Sequence, residues 1–108
     1  MSFSKCGARS FTAVSVRTNA PECSGVYGLS NGHEWLFIGE ANNIRACLLE
    51  HLEESHTLLV HRGPTGFTFE ECSACNRASR RDALIRLLQP FCNRGLDYIG
   101  QPARRRGY

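Results

Sequence analysis

Two hydrophobic spacings follow one another along the chain. Val26 and Leu29 mark a short apolar run; Trp35, Leu36, Phe37 and Ile38 mark a second, closed by Gly39. Short runs bounded by Gly, Asn and Ser read as strands. Asn31-Gly32 lies between them and predicts a two-residue type I′ hairpin, because that turn needs φ > 0 at both central positions. From Ile44 the spacing becomes helical. Ile44, Cys47, Leu48, His51 and Leu52 recur at i, i+3, i+4, i+7 and i+8, which predicts an amphipathic helix ending near Glu53 or Glu54. Asn42 or Asn43 supplies its side-chain cap.

The flanks are less regular. Phe11 to Val16 (FTAVSV) alternates like a strand, at an edge or as an N-terminal addition, and Thr18 to Pro21 reads as a turn. Leu58-Leu59-Val60 suits a short helix or a buried loop. Thr65 to Glu71 reads as a strand with Phe67 and Phe69 on one face. A second helix is predicted over roughly 77–89. Ser79 and Asp82 have capping-box spacing, Leu84, Leu87 and Leu88 with Ile85 form its buried side, and Asp82 and Arg86 make an i,i+4 pair. Pro90 stops it, and Gln101 to Tyr108 reads as a mobile tail. This order predicts an α+β fold: a small, mainly antiparallel three-stranded sheet flanked by helices.

Composition bounds this picture. At 108 residues one domain is expected, divided into an N-terminal extension (1–24), a core (25–93) and a basic tail (94–108). No stretch reaches the ~18 apolar residues of a membrane span. The first residues lack the apolar centre of a secretory signal. A cytoplasmic chain without membrane association is therefore expected, with its six cysteines reduced. Charge is divided unevenly. Residues 1–76 hold five Lys+Arg against eight Asp+Glu; residues 77–108 hold eight against two, and all eight are arginines. The guanidinium fork matches phosphate, so this end suggests an anionic partner, DNA or RNA first, or else a solvated helix face. The candidate nucleic-acid contacts are Arg77, Arg80, Arg81, Arg104, Arg105 and Arg106.

Gly25-Val26-Tyr27, then Phe37-Ile38-Gly39 across a hairpin, then a helix carrying His51, resembles the GIY-YIG nuclease family. Leu84-Ile85 leading into Pro90-Phe91-Cys92-Asn93 resembles the end of that family's last core helix and its Pro-x-x-Asn close. The likeness covers about 25–93. It implies hydrolysis of phosphodiesters with a divided set of roles. Tyrosines of the two motif strands activate or position water, and an arginine in the first helix stabilises phosphate charge. A histidine or tyrosine one turn later assists, and a glutamate near the start of the last core helix holds a divalent metal, Mg²⁺ or Mn²⁺. On that implication Tyr27 matches the first tyrosine, His51 the assisting histidine and Asn93 the terminal asparagine.

Three positions depart from the family pattern. Phe37 stands at the second tyrosine and brings no hydroxyl. Cys47 stands at the register of the arginine, and a thiol cannot make the bidentate contact to phosphate. Arg45 is nearby, but two residues along a helix is a turn of about 200°. Arg81, or its immediate neighbourhood, stands where the metal-binding glutamate is implied, and a guanidinium repels a cation. Asp82 is one residue away, ~100° round the helix. Catalytic groups act as a unit, so these losses imply a degenerate site. The expected function is that of a pseudo-nuclease that binds nucleic acid, with Arg81 supplying charge for phosphate.

Two alternatives stand beside it. One is an active endonuclease using other residues, such as Asp82, Glu70 or Tyr98. The other is a zinc-stabilised protein-interaction module built on Cys72-Ser73-Ala74-Cys75. That pair reads as ordinary loop thiols, as half of a zinc site completed by Cys6, Cys23, Cys92, His56 or His61, or as a redox pair. Tyr98-Ile99-Gly100 is a coincidental match, because no helix with a histidine follows it. Nothing in the pattern sets the oligomeric state.

Overall fold

A computed structural model describes residues 8–32, 34–54, 58–93, 96–98 and 101–102. Along the chain lie β1 (Arg9–Ser10), α1 (Ala13–Asn19), β2 (Gly25–Ser30), β3 (Trp35–Ala41) and α2 (Ile44–Glu53). They are followed by α3 (Leu58–His61), β4 (Gly66–Glu71), α4 (Ala74–Leu88), a 3-10 turn (Phe91–Asn93), β5 (Leu96–Tyr98) and β6 (Gln101–Pro102). The main sheet has the order β1-β4-β2-β3 and is antiparallel throughout. It therefore has four strands, not three. The fourth is β1, which pairs Arg9 with Phe67 and Ser10 with Gly66.

Successive residues of β2 face opposite sides of the sheet. On one side Tyr27, Leu29 and Phe67 meet Val16 of α1, Ile44 and Leu48 of α2, and Leu59 of α3. On the other, Val26 and Ile38 meet Leu84 of α4, with Ile85 and Leu88 beside it. The expected α2 forms as read. Asn43 caps it, its Oδ1 accepting from the Ala46 N–H at 3.0 Å, and Ile44, Leu48 and His51 are buried. Among the described residues no helix is long and apolar enough to cross a membrane.

Four local expectations are corrected. Phe11 to Val16 is not a strand. Thr12 accepts a hydrogen bond from the Ser15 N–H at 3.2 Å and starts α1, which buries Val16, with Ala20 one turn on. A side-chain cap plus an i,i+4 apolar pair outweighs a short alternation. The β2–β3 hairpin forms, but neither Asn31 nor Gly32 has positive φ. Instead the Asn31 side chain accepts from the Glu34 N–H at 2.9 Å, and the Asn31 N–H donates to the Glu34 carbonyl at 3.1 Å.

Helix α4 begins at Ala74, with Ser73 at its N-cap, so Ser79 and Asp82 lie inside it. That register puts Arg77, Arg81, Leu84 and Leu88 along one stripe toward the sheet and leaves Leu87 75% exposed, against the expectation that it is buried. Asp82 pairs with Arg81 at 3.0 Å. Finally, Gln101–Pro102 forms β6 against β5, so the tail's first two residues are paired.

Candidate functional site

Tyr27 sits on the central strand, paired with Gly39 on one side and Phe69 on the other. A methyl group on Gly39 would lie 2.6 Å from the Tyr27 hydroxyl and 2.8 Å from Phe37 Cε2. The last glycine of the Phe37-Ile38-Gly39 run is therefore where the Tyr27 ring crosses the neighbouring strand. Gly25 has a similar cause, since a Cβ there would run into the Glu70 carbonyl and Ile44.

The Tyr27 hydroxyl lies 2.7 Å from His51 Nε2, and His51 Nδ1 lies 3.2 Å from Glu54 Oε1. The Glu54 carboxylate can only accept, so the ring proton belongs on Nδ1. Nε2 is then the acceptor for the Tyr27 O–H. His51 and Glu54 side chains are only 8% and 9% exposed, so water does not compete for these bonds. The arrangement is a base held between a hydroxyl and an orienting acid, which is suited to drawing a proton from Tyr27. Glu54 escaped the sequence reading, although an acid three residues after a helical histidine is a readable pair.

Phe37 packs its ring 6.1 Å from Tyr27 and 5.3 Å from His51, filling this corner with carbon. Cys47 is partly buried against the same core. Arg45 turns away as expected: its Nε donates to the Ala20 carbonyl at 2.9 Å, and it pairs with Glu22 at 3.5 Å. Asn93 closes the fold at the outer strand. Its Oδ1 accepts from the Ile38 N–H at 2.7 Å and its Nδ2 donates to the Ile38 carbonyl at 3.1 Å. It completes the backbone bonding of β3 much as a neighbouring strand would.

Three of the four arginines of α4, Arg77, Arg80 and Arg81, lie on the opposite face, each with an acid partner. Arg77 Nε donates to Glu40 Oε1 at 3.0 Å, and Arg77 Nη1 to Ser24 Oγ and the Ala41 carbonyl at 3.0 and 3.2 Å. Arg81 Nη1 donates to Glu40 Oε2 at 2.6 Å. Arg80 makes a two-pronged pair with Glu70, both bonds at 3.0 Å. Arg104, Arg105 and Arg106 lie outside the described residues. Glu40 escaped the sequence reading. The available clue was its position directly after Gly39, at the end of the motif strand.

The resemblance implies a metal-holding carboxylate at or near Arg81. The side chains found there do not fit Mg²⁺ or Mn²⁺. Glu40 and Asp82 are the acids within reach; both Glu40 oxygens and Asp82 Oδ1 are engaged by guanidiniums whose charge opposes a cation. Among the described residues no group of three or more His, Cys, Asp or Glu could hold a metal ion. The alternative of a zinc site at Cys72 and Cys75 therefore finds no support. Cys6 and His56 lie outside the described residues, while Cys23, Cys72 and Cys75 are free thiols. Burial and then the Glu70 charge push the Cys72 thiol up; burial and then Glu71 do the same to Cys23. Neither is suited to act as a thiolate at neutral pH.

No family model matches the chain, and no curated protein does. Solved structures do. The GIY-YIG N-terminal endonuclease domain of UvrC from Thermotoga maritima, bound to its catalytic magnesium, is similar at a TM-score of 0.60 and 20% identity. The match covers 69% of this chain and 91% of that domain. Two point mutants of the same domain, each bound to its catalytic divalent cation, are similar at a TM-score of 0.60 with 20% and 21% identity. They cover 69% of this chain and 90% and 91% of theirs. With its central Tyr27 strand, capped α2 and Asn93 closure, the chain has the GIY-YIG nuclease fold.

Proposed function

We propose that this chain is a GIY-YIG-fold module that binds DNA or RNA and does not cleave it by the metal-dependent route. The observation that carries the reading is Arg81. The similar UvrC domain binds a catalytic divalent cation. Here, where the resemblance implies a metal-holding glutamate, a guanidinium is closed onto Glu40 at 2.6 Å. Phe37 and Cys47 remove a hydroxyl and a phosphate-binding charge from the same motif. What is left on α4 is a row of arginines whose chemistry suits phosphate. The test is binding of a labelled oligonucleotide across a salt series. Two or more phosphate contacts predict that log K falls with log salt at a slope of about −2 or steeper. A flat response refutes the reading.

One observation favours a second reading, an active endonuclease. The row Tyr27–His51–Glu54 keeps a hydroxyl hydrogen-bonded to a base that is itself oriented by an acid. On this reading the row transfers a proton during cleavage. Nicking of supercoiled plasmid with Mg²⁺ or Mn²⁺ that disappears in Tyr27→Phe would establish it.

A further inference from the structure

We infer that Glu40 occupies a phosphate-binding position between Arg77 and Arg81, and that a nucleic-acid phosphodiester binds there by displacing it. The inference rests on the nucleic-acid-binding reading above and adds how that site is closed at rest.

Two arginines one helical turn apart on α4 converge on a single carboxylate, and each takes a different oxygen: Arg77 takes Oε1 at 3.0 Å and Arg81 takes Oε2 at 2.6 Å. Two positive charges aimed at one point require an anion there. A phosphodiester has the same formal charge as a carboxylate and likewise offers two unbridged oxygens, so it can accept from the same two donors.

The guanidiniums are anchored independently of Glu40. Ser24 Oγ and the Ala41 carbonyl hold Arg77, and Asp82 holds Arg81 through Nε and Nη2, both at 3.0 Å. The donors therefore keep their positions if Glu40 leaves. Glu40 stands one residue from the end of β3 and its side chain is 28% exposed, so it has solvent to turn into.

Charge balance explains why the site would be masked. Arg77, Arg80 and Arg81 are matched by Glu40, Glu70 and Asp82, so this patch is neutral at rest. Removing the Glu40 charge leaves it at +1, centred between two fixed guanidiniums. In this scheme Glu40 acts as an internal competitor that an incoming strand must displace.

The experiment is fluorescence anisotropy with a labelled oligonucleotide over a salt series, on the wild type, Glu40→Gln and the double variant Glu40→Gln/Arg81→Gln. Glu40→Gln is expected to bind about tenfold tighter near 0.1 M salt and to steepen the slope by about one unit, one added phosphate contact. The double variant is expected to lose that gain. Inorganic pyrophosphate added to Glu40→Gln should compete with the oligonucleotide more strongly than in the wild type. If the wild type binds with a clear salt slope and Glu40→Gln binds no tighter, the competitor role is wrong and the binding reading stands. If neither binds, both are wrong. Should Glu40→Gln fail to fold by circular dichroism, Glu40→Asp takes its place. It keeps the charge but is one methylene too short to span both arginines. It should tighten binding in the same direction by less, and unchanged affinity overturns the inference.

Discussion

Replacing Gly39 by alanine tests how the motif glycine and the buried hydroxyl depend on each other. The added methyl would lie 2.6 Å from the Tyr27 hydroxyl, 2.7 Å from its Cζ and 2.8 Å from Phe37 Cε2. Contacts this close cannot persist, so one ring must move. Tyr27 is 4% exposed and hemmed in by Phe37 and His51, so it cannot simply swing into solvent. Overpacking of this kind costs about 1–3 kcal/mol. Moving the ring also breaks the 2.7 Å bond to His51 and leaves a buried ring nitrogen unsatisfied, which adds roughly 1 kcal/mol or more. The expected loss is about 2–4 kcal/mol, read as a lower denaturant midpoint at unchanged m-value. Gly32→Ala is the control, because nothing lies within 4 Å of a Cβ there; it should change stability by less than about 0.5 kcal/mol. If Gly39→Ala is as benign as Gly32→Ala, the proposed crossing of Tyr27 over Gly39 is wrong.

Three further predictions follow from other parts of the fold. Asn93→Ala removes both side-chain bonds to the Ile38 backbone and should cost about 2–3 kcal/mol, with faster hydrogen exchange at the Ile38 amide; unchanged exchange would contradict the clamp. Leu84→Ala should cost about 2–5 kcal/mol and Leu87→Ala less than about 1 kcal/mol, because only Leu84 is buried; equal losses would show the α4 register to be wrong. The raised thiols of Cys23 and Cys72 stay protonated through neutral pH. Their iodoacetamide labelling, read by mass spectrometry, should lag an unstructured cysteine peptide and rise only at more alkaline pH.

Local pattern was enough where the chain folds on its own spacing. The run Ile44, Cys47, Leu48, His51 defines a helix and its buried face without reference to anything distant, and α2 forms as read. The hairpin was legible for the same reason. Elements failed where a single side chain decided them. Thr12 turns an alternating stretch into α1, and Asn31 closes the hairpin through its side chain instead of through positive φ. The start of α4 was missed because Ser79 and Asp82 have capping-box spacing, whereas the helix starts after Ser73, whose side chain makes no capping hydrogen bond and so leaves no such signature.

The site divides in the same way. Tyr27 and His51 could be named from the motif, and the structure brings them to 2.7 Å. Glu40 matters through Arg77 and Arg81, which are 37 and 41 residues away in sequence, so no local spacing exposes it. Positive charge on α4 was legible as composition, but its neutralisation by acids from β3 and β4 was not. Composition counts charges, whereas a ligand meets them already paired.

The proposed function is phosphate binding by this fold without metal-dependent cleavage. Its most direct test is a single gel of supercoiled plasmid incubated with the purified chain in low salt, with Mg²⁺ or Mn²⁺, beside Tyr27→Phe. The expected result is plasmid that is retarded by the protein yet recovered fully supercoiled after the protein is removed, equally for both chains. Metal-dependent nicking by the wild type that is absent from Tyr27→Phe would contradict it.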